Sequence, residues 1–335
     1  MRSDTSLMEE ASATTAPPVV VEVRDFSLDY TDPHLLRALR SVNLTVREGE
    51  IMALVGETGS GKSSLAHSVL NLLPRSSKAE GSITINVQGK QARPLQMSVD
   101  EARAFRRENI AFIPQLTKRA LVPVLTVAEH FRQYLSASGD AKARDVVEVA
   151  APRLREVGLT DPRRVLASYP HQLSGGMAQR VCIALAMCGS SSLVVADEPT
   201  SGLDALVKLR VADLLGTTVA EKRRTMLLVT HDLLLVRRIA TKVAVLYGGC
   251  LVEVGPVESV FEAPAHPYTE MLLGATPQPG KPLKVIPGAA PRLSGPLTRC
   301  VFADRCPVKD DRCVAEAPAL RSLTDEHEVA SWCNR

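Results

Sequence analysis

Gly56-Glu57-Thr58-Gly59-Ser60-Gly61-Lys62-Ser63 is the stretch that decides the reading of this 335-residue chain. It follows the continuous apolar run Ile51 to Val55 and precedes helical spacing from Ser63 to Leu73. A short apolar run without alternation is expected of a strand buried on both faces. Strand, glycine-rich turn and helix in that order fit G-x-x-x-x-G-K-[ST], the pattern of a loop that wraps phosphate. Glycines let the backbone close around phosphate oxygens. Successive N–H groups and the helix N-terminus offer positive partial charge. Lys62 is placed to reach β- and γ-phosphates, and Ser63 to ligate Mg²⁺. Ser64, next in line, joins the candidate nucleotide contacts.

Outward from the loop, short strand patterns alternate with helical ones. Val19 to Val23 is β-branched, Val42, Leu44 and Val46 alternate with polar neighbours, and Ser82 to Val87 alternates again. Further strands are predicted at Ile110–Ile113, Leu193–Ala196, Met226–Val229, Val243–Leu246 and Leu251–Val254. Helical spacing covers Val127 to Val157 with a break at Gly139, then Ser174–Met187, Ala205–Lys222 and Leu233–Ile239. Strand and helix in alternation favour an α/β fold on a parallel sheet.

Three further places could carry chemistry with the loop. Leu193-Val194-Val195-Ala196-Asp197-Glu198 is an apolar strand ending in two acids. At that edge Asp197 can hold Mg²⁺ through water, and Glu198 can polarise an attacking water as general base. Leu173-Ser174-Gly175-Gly176-Met177 opens a helix with a good N-cap and two glycines that leave its positive end bare. Two anion-binding helix ends in one chain suggest a composite site, one subunit's loop facing the other's bare helix end. His231 lies 33 residues after Glu198, just past a predicted strand.

Read together, the loop, Leu-Ser-Gly-Gly, the strand ending Asp197-Glu198, Ser201-Gly202-Leu203-Asp204 and Thr230-His231-Asp232 resemble the nucleotide-binding subunit of an ABC transporter, over about residues 19–260. The resemblance implies a phosphate-loop (RecA-like) ATPase core with an antiparallel β subdomain, a helical subdomain and a small Cys-rich C-terminal module. It implies ATP and Mg²⁺ as ligands. It matches Gln115 to the loop that touches Mg²⁺ and the attacking water. It matches His231 to the switch histidine, Asp204 to the loop crossing the dimer interface, and Tyr30 to the aromatic that stacks on adenine. Ser174, Gly175 and Gly176 would meet the nucleotide of a second ATPase subunit. Two departures stand out: Gln115 is followed by Leu116-Thr117 where the family usually has an acid and proline, and Met177 replaces a glutamine. Neither removes a catalytic group, so a hydrolysis-competent site is expected.

Beyond residue 260 the composition changes. Eight prolines fall between Pro264 and Pro296, and four of the seven cysteines fall in the last 36 residues. The expected organisation is a tail over 1–17, a nucleotide-binding domain over 18–262, a proline-rich connector over 263–296 and a cysteine-bearing module over 297–335. His266-Pro267-Tyr268-Thr269, Val122 to Val127, the prolines and the cysteines resemble the oligopeptide/dipeptide/nickel importer branch. That branch implies a second, different ATPase subunit, two membrane permeases and an extracytoplasmic binding protein. Cys300, Cys306, Cys313 and Cys333 have the spacing C-x5-C-x6-C-x19-C. Disulfides are not expected in a cytosolic ATPase. The readings left are a [4Fe–4S] cluster, as some relatives carry, a zinc ion, or no metal. Cys182, Cys188 and Cys250 read as small hydrophobes.

Charge and composition exclude other classes. Lys and Arg number 40 against 37 Asp and Glu, a net +3, and only 4% of residues are aromatic, so nucleic acid is not an expected partner. No run reaches the ~18 apolar residues of a membrane span, and Met1 to Pro18 has no secretory h-region. The expected place is the cytoplasmic face of the membrane, bound to other chains. Alternatives are an ATPase of the same branch importing nickel or another small solute, or a soluble ABC ATPase acting on ribosomes or DNA. The latter usually carry two cassettes or coiled-coil insertions, which this chain lacks.

Overall fold

The computed structural model describes residues 16–32, 35–137, 145–221, 223–276, 285–291, 295 and 297–333. Most of the expected tail, the break at Gly139, and Pro277, Pro279, Pro282 and Pro296 lie outside the described residues.

The chain begins with β1 (Val19–Tyr30), β2 (Leu36–Arg47) and β3 (Ile51–Val55), then α1 (Lys62–Val69), β4 (Ser77–Val87) and β5 (Lys90–Ala92). α2 (Val99–Asn109), β6 (Ile110–Ile113), α3 (Thr117–Ala120), α4 (Val127–Ala137), α5 (Val146–Glu156), α6 (Pro162–Ala167) and α7 (Gly175–Cys188) follow. Next come β7 (Leu193–Asp197), α8 (Ala205–Glu221), β8 (Thr225–Val229), α9 (Leu233–Ile239), β9 (Lys242–Tyr247) and β10 (Cys250–Pro256). The C-terminal part holds α10 (Val257–Glu262), α11 (Pro267–Gly274), α12 (Asp311–Ala315), β11 (Arg321–Ser322) and β12 (Glu328–Val329).

Two sheets organise these elements. The larger has the order β11-β12-β10-β9-β3-β8-β7-β6. From β6 to β9 its neighbours run parallel, whereas β10, β12 and β11 extend it antiparallel. Every residue of β3, β7 and β8 is buried, which is why they read as unbroken apolar runs. The smaller sheet, β2-β1-β4-β5, is antiparallel throughout. It keeps one face wet: in β2, Val42, Leu44 and Val46 are buried while Asn43 and Thr45 are exposed.

Three apolar clusters hold the layers together. The small sheet packs Val21, Phe26, Leu44 and Ile85 with Leu65 and Val69 of α1 against Leu54 and Val229 of the large sheet. The opposite face of the large sheet takes the helices α4 to α8, through Phe131, Leu154, Val181, Met187 and Leu215. The third cluster joins β9 and β10 to the C-terminal residues: Val243, Tyr247, Val252, Tyr268, Cys300, Phe302 and Cys313. The rings of Tyr247, Tyr268 and Phe302 lie 4.5 to 5.4 Å apart, at the tilted and edge-on angles aromatic pairs favour.

That third cluster corrects two expectations. Residues 297–333 do not form a module of their own, because β12 pairs with β10 and Phe302 packs against the rings of β9 and α11. Residues 264–269, read as connector from their prolines, enter the core: His266 is 2% and Tyr268 0% exposed. Pro267 stands at the first position of α11, where a missing N–H costs nothing, and His266 caps the helix by accepting the Tyr268 N–H at 3.0 Å.

Candidate nucleotide site

The phosphate loop joins β3 to α1, and its shape depends on two glycines. Gly56 has φ +142°, and a Cβ there would stand 2.1 Å from the Leu246 carbonyl oxygen. Gly61 has φ +102°, and its Cβ would stand 2.6 Å from the Ala38 carbonyl oxygen. No other residue type fits either place. Between them Lys62 folds back, its Nζ donating to the carbonyls of Gly56 and Glu57, each at 2.8 Å. Burial pushes the Lys62 pKa down, while the carboxylates of Glu198, Asp197 and Glu57 oppose that shift.

The two acids at the end of β7 meet this loop from the neighbouring part of the sheet. Ser63 Oγ donates to Asp197 Oδ1 at 3.0 Å, and His67 Nε2 lies 3.6 Å from Asp197 Oδ2. Burial raises the Asp197 pKa, against the hydrogen bond from Ser63. Glu198 is a non-glycine residue with φ +51°, a backbone state that persists only where its surroundings hold it. Its N–H donates to Val229 O at 2.9 Å, and His231 Nδ1 lies 2.8 Å from its Oε1. The His231 side chain is 68% exposed against 11% for Glu198, so the histidine links the acid to solvent.

A cavity of about 800 Å³ opens over the loop. Thr58, Gly59, Gly61, Lys62, Ser63 and Ser64 floor it, Gln115 and Glu198 line it, and its walls include Tyr30, Leu35, Leu36 and Pro291, with the charged Asp32 and Arg37 among them. Tyr30 Oη donates to Ser64 Oγ at 3.1 Å. A buried ammonium, a glycine cradle, a hydroxyl beside a carboxylate and an apolar wall make a donor set suited to a Mg²⁺–nucleoside triphosphate, and the volume is that of a small-molecule site.

Other expected residues lie elsewhere. Ser174, Gly175, Gly176 and Asp204 do not line this cavity. Ser174 Oγ accepts the Met177 N–H at 3.1 Å as N-cap of α7, and a Cβ on Gly175 would meet nothing within 4 Å. Asp204 Oδ1 caps α8 through the Val207 N–H at 3.0 Å.

The expected iron–sulfur or zinc site is not supported. Among the described residues no group of three or more His, Cys, Asp or Glu is arranged to hold a metal ion. Cys306, Cys313 and Cys333 lie near enough to Cys300 to act on its pKa, so the fold gathers the four residues without forming a ligand set. Burial pushes the Cys300 thiol up to about 11 and raises the Cys313 thiol as well. No disulfide forms among the described cysteines.

Contacts that no motif announces also reach the loop. The Glu57 N–H donates to Tyr268 Oη at 2.8 Å, Arg305 pairs with the Glu57 carboxylate, and Pro291 touches the cavity. They come from more than 200 residues downstream, and nothing in the local pattern around them signals the phosphate loop.

Loop, acids and cavity on a parallel sheet define a phosphate-loop nucleoside-triphosphatase. Family models refine that class: residues 39–201 match the ABC transporter family, and residues 252–313 match the oligopeptide/dipeptide transporter C-terminal region. A Brucella melitensis protein named for peptide import and ATP binding is 37% identical over 87% of this chain and 89% of its own. A Sinorhizobium fredii protein named for a peptide ABC transporter is 35% identical over 94% and 95%. The oligopeptide transport ATP-binding protein OppD of Mycobacterium tuberculosis is 34% identical over 93% of this chain, which spans 51% of that protein. Among solved structures, a dimeric ATP-binding cassette in a post-hydrolysis state with ADP and Pi matches with a TM-score of 0.63 at 28% identity, over 71% of this chain and 98% of that one. An ATP-binding subunit of an ABC transporter matches with a TM-score of 0.58 at 30% identity, over 72% and 92%. The chain belongs to the ABC transporter family, as an ATP-binding subunit of the oligopeptide/dipeptide branch.

Proposed function

We propose that this chain is the ATP-hydrolysing subunit of a peptide importer, working at the cytoplasmic face of a membrane beneath two permease subunits. The observation that carries the ATPase part is the chain of contacts from Lys62 and Ser63 through Asp197 and Glu198 to His231. The peptide part is supported by the C-terminal match and by what the relatives are named for.

In this reading Lys62 leaves its loop carbonyls to hold the β- and γ-phosphates, with the loop amides around them. Tyr30 stacks on the base. Ser63, Gln115 and Asp197 would hold Mg²⁺, which would supply positive charge against the phosphates. Glu198 orients and deprotonates the attacking water, and His231 contacts the γ-phosphate. Glu198 takes its strained backbone from strand pairing and its orientation from His231, so the base is set before the nucleotide arrives. A second ATPase subunit, expected to be a different chain, closes head-to-tail and presents its own Ser-Gly-Gly helix end to this nucleotide. The open face of Gly175 suits such an approach. Hydrolysis reopens the pair, and the Gln115 region passes that motion to the permeases, which an extracytoplasmic binding protein feeds.

Glu198→Gln keeps ATP binding and lowers turnover by about 10²–10⁴-fold. Near-normal turnover in this variant would remove Glu198 from the proposed role. Uptake of labelled di- and oligopeptides by cells carrying wild type or Glu198→Gln tests the transport part. Loss of peptide uptake in the variant is expected; intact peptide uptake with impaired nickel uptake would reassign the solute.

A further inference from the structure

The C-terminal residues converge on the second residue of the phosphate loop. Arg305 grips the Glu57 carboxylate with two prongs, Nη1 to Oε2 at 2.6 Å and Nη2 to Oε1 at 3.0 Å. The Glu57 N–H donates to Tyr268 Oη, and its carbonyl accepts from Lys62 Nζ at 2.8 Å. Glu57 is therefore held at three points, and one of them is the lysine of the loop.

Arg305 is itself built in. Its side chain is 6% exposed, against 26% for Glu57. Its remaining donors reach the carbonyls of Pro287 at 2.7 Å, Ile286 at 3.3 Å and Gly288 at 3.3 Å, and Nη1 also donates to Tyr247 Oη at 3.1 Å. The guanidinium lies 5.6 Å from the centre of the Tyr247 ring. The hydrogen bonds to Glu57 push the already high Arg305 pKa further up, so it stays charged at any working pH.

A carboxylate in an anion-binding loop is a charge of the wrong sign. Unpaired, Glu57 would repel the triphosphate and compete for the ammonium of Lys62. Paired in two-pronged geometry it does neither, since such pairs fix both orientation and charge. We propose that Arg305 is a positioning residue for nucleotide binding: it neutralises and fixes Glu57, so that the loop presents positive potential to the phosphates and the Lys62 ammonium is left free to reach them. This inference rests on the nucleotide-site reading above, and goes beyond it by giving a downstream residue control over ATP affinity.

The test uses the full chain for equilibrium binding of a fluorescent ATP analogue, and the assembled transporter for steady-state kinetics. Arg305→Ala should weaken binding and raise KM about tenfold while kcat falls less than about threefold, because ground-state binding is what it removes. Arg305→Lys should recover part of the loss, keeping the charge but not the fork. The double variant Arg305→Ala with Glu57→Gln has no carboxylate left to neutralise, and should bind ATP to within about threefold of wild type, a coupling that a double-mutant cycle reads directly. A wild-type KM in Arg305→Ala overturns the proposal. So does a double variant as weak as Arg305→Ala, which would make Arg305 only a brace for residues 286–288. If Arg305→Ala does not fold, Arg305→Gln replaces it with the same two overturning results. Lys62→Ala is the control: if it binds the analogue like wild type, the nucleotide-site reading fails as well, whereas an effect there with none at Arg305 fails this inference alone.

Discussion

Glu57 and Glu253 are two carboxylates near the same sheet with different surroundings. Glu57 is a quarter exposed, sits in the phosphate loop, and answers to one guanidinium. Glu253, on β10, is fully buried and accepts the N–H groups of Ala265 at 2.8 Å and His266 at 3.0 Å, with His327 Nε2 at 2.8 Å. The first carboxylate joins a distant residue to the reacting loop. The second joins three chain segments to one another: β10, the turn before α11, and the residue ahead of β12. Both are far-apart contacts, but one is arranged around a future ligand and the other around the fold. Substitutions at the two ends should therefore fail in different ways.

The largest expected effect lies at the loop. Lys62→Ala should lower ATPase turnover by about 10³-fold, as removing a preorganised positive group from developing phosphate charge does. Stability should move far less, since burial already disfavours the ammonium and its loss relieves that cost. Turnover within a few-fold of wild type would break the assignment of this end of the molecule to chemistry. At the other end, Glu253→Ala should lower unfolding free energy by about 3 kcal/mol, the order expected when one partner of a buried charged contact is removed. A urea titration of the two variants side by side checks the contrast. A Glu253→Ala midpoint equal to wild type would show that residues 265–266 and 327 need no such anchor.

The same contrast separates what is legible in the sequence from what is not. Residues 56–63 are contiguous, so sequence and geometry are the same information: a buried strand, two glycines no other residue can replace, and a helix start. The acids of β7 are legible for the same reason, being the polar end of an all-buried strand. The interval from Glu198 singles out His231, and its nitrogen lies 2.8 Å from that carboxylate. The C-terminal part is illegible because its pairings are not local. Prolines 264 and 267 suggest a connector, yet they flank a buried helix cap, His266, that packs against Phe302 while Tyr268 beyond it packs against Tyr247. Four cysteines at wide spacing suggest a ligand set, yet three of them, Cys300, Cys306 and Cys313, pack in or against an apolar cluster. Arg305 carries no signal, since an arginine between Asp304 and Cys306 has the same sequence context whether it meets solvent or a carboxylate 248 residues away.

The smallest effect belongs to His266 and is visible only as a pH dependence. This side chain is 2% exposed, its Nδ1 accepts the Tyr268 N–H, and burial pushes its pKa down to about 3 from an ordinary value of 6.5. The folded chain thus keeps it neutral where the unfolded chain would protonate it. The unfolded state binds more protons between those two values, so stability is fully present above pH 6.5 and is lost as pH falls toward 3. The slope for one such group is about 1.4 kcal/mol per pH unit. His266→Asn can still accept the Tyr268 N–H but cannot titrate. Urea unfolding of both proteins between pH 7.5 and 5.5 should show wild type losing about 1 kcal/mol more than the variant over the acid half of that range. Equal slopes would mean that His266 is protonated in the fold. Its Nδ1 could then no longer accept, and Tyr268, with the loop amide of Glu57 behind it, would have to be held by some other cap.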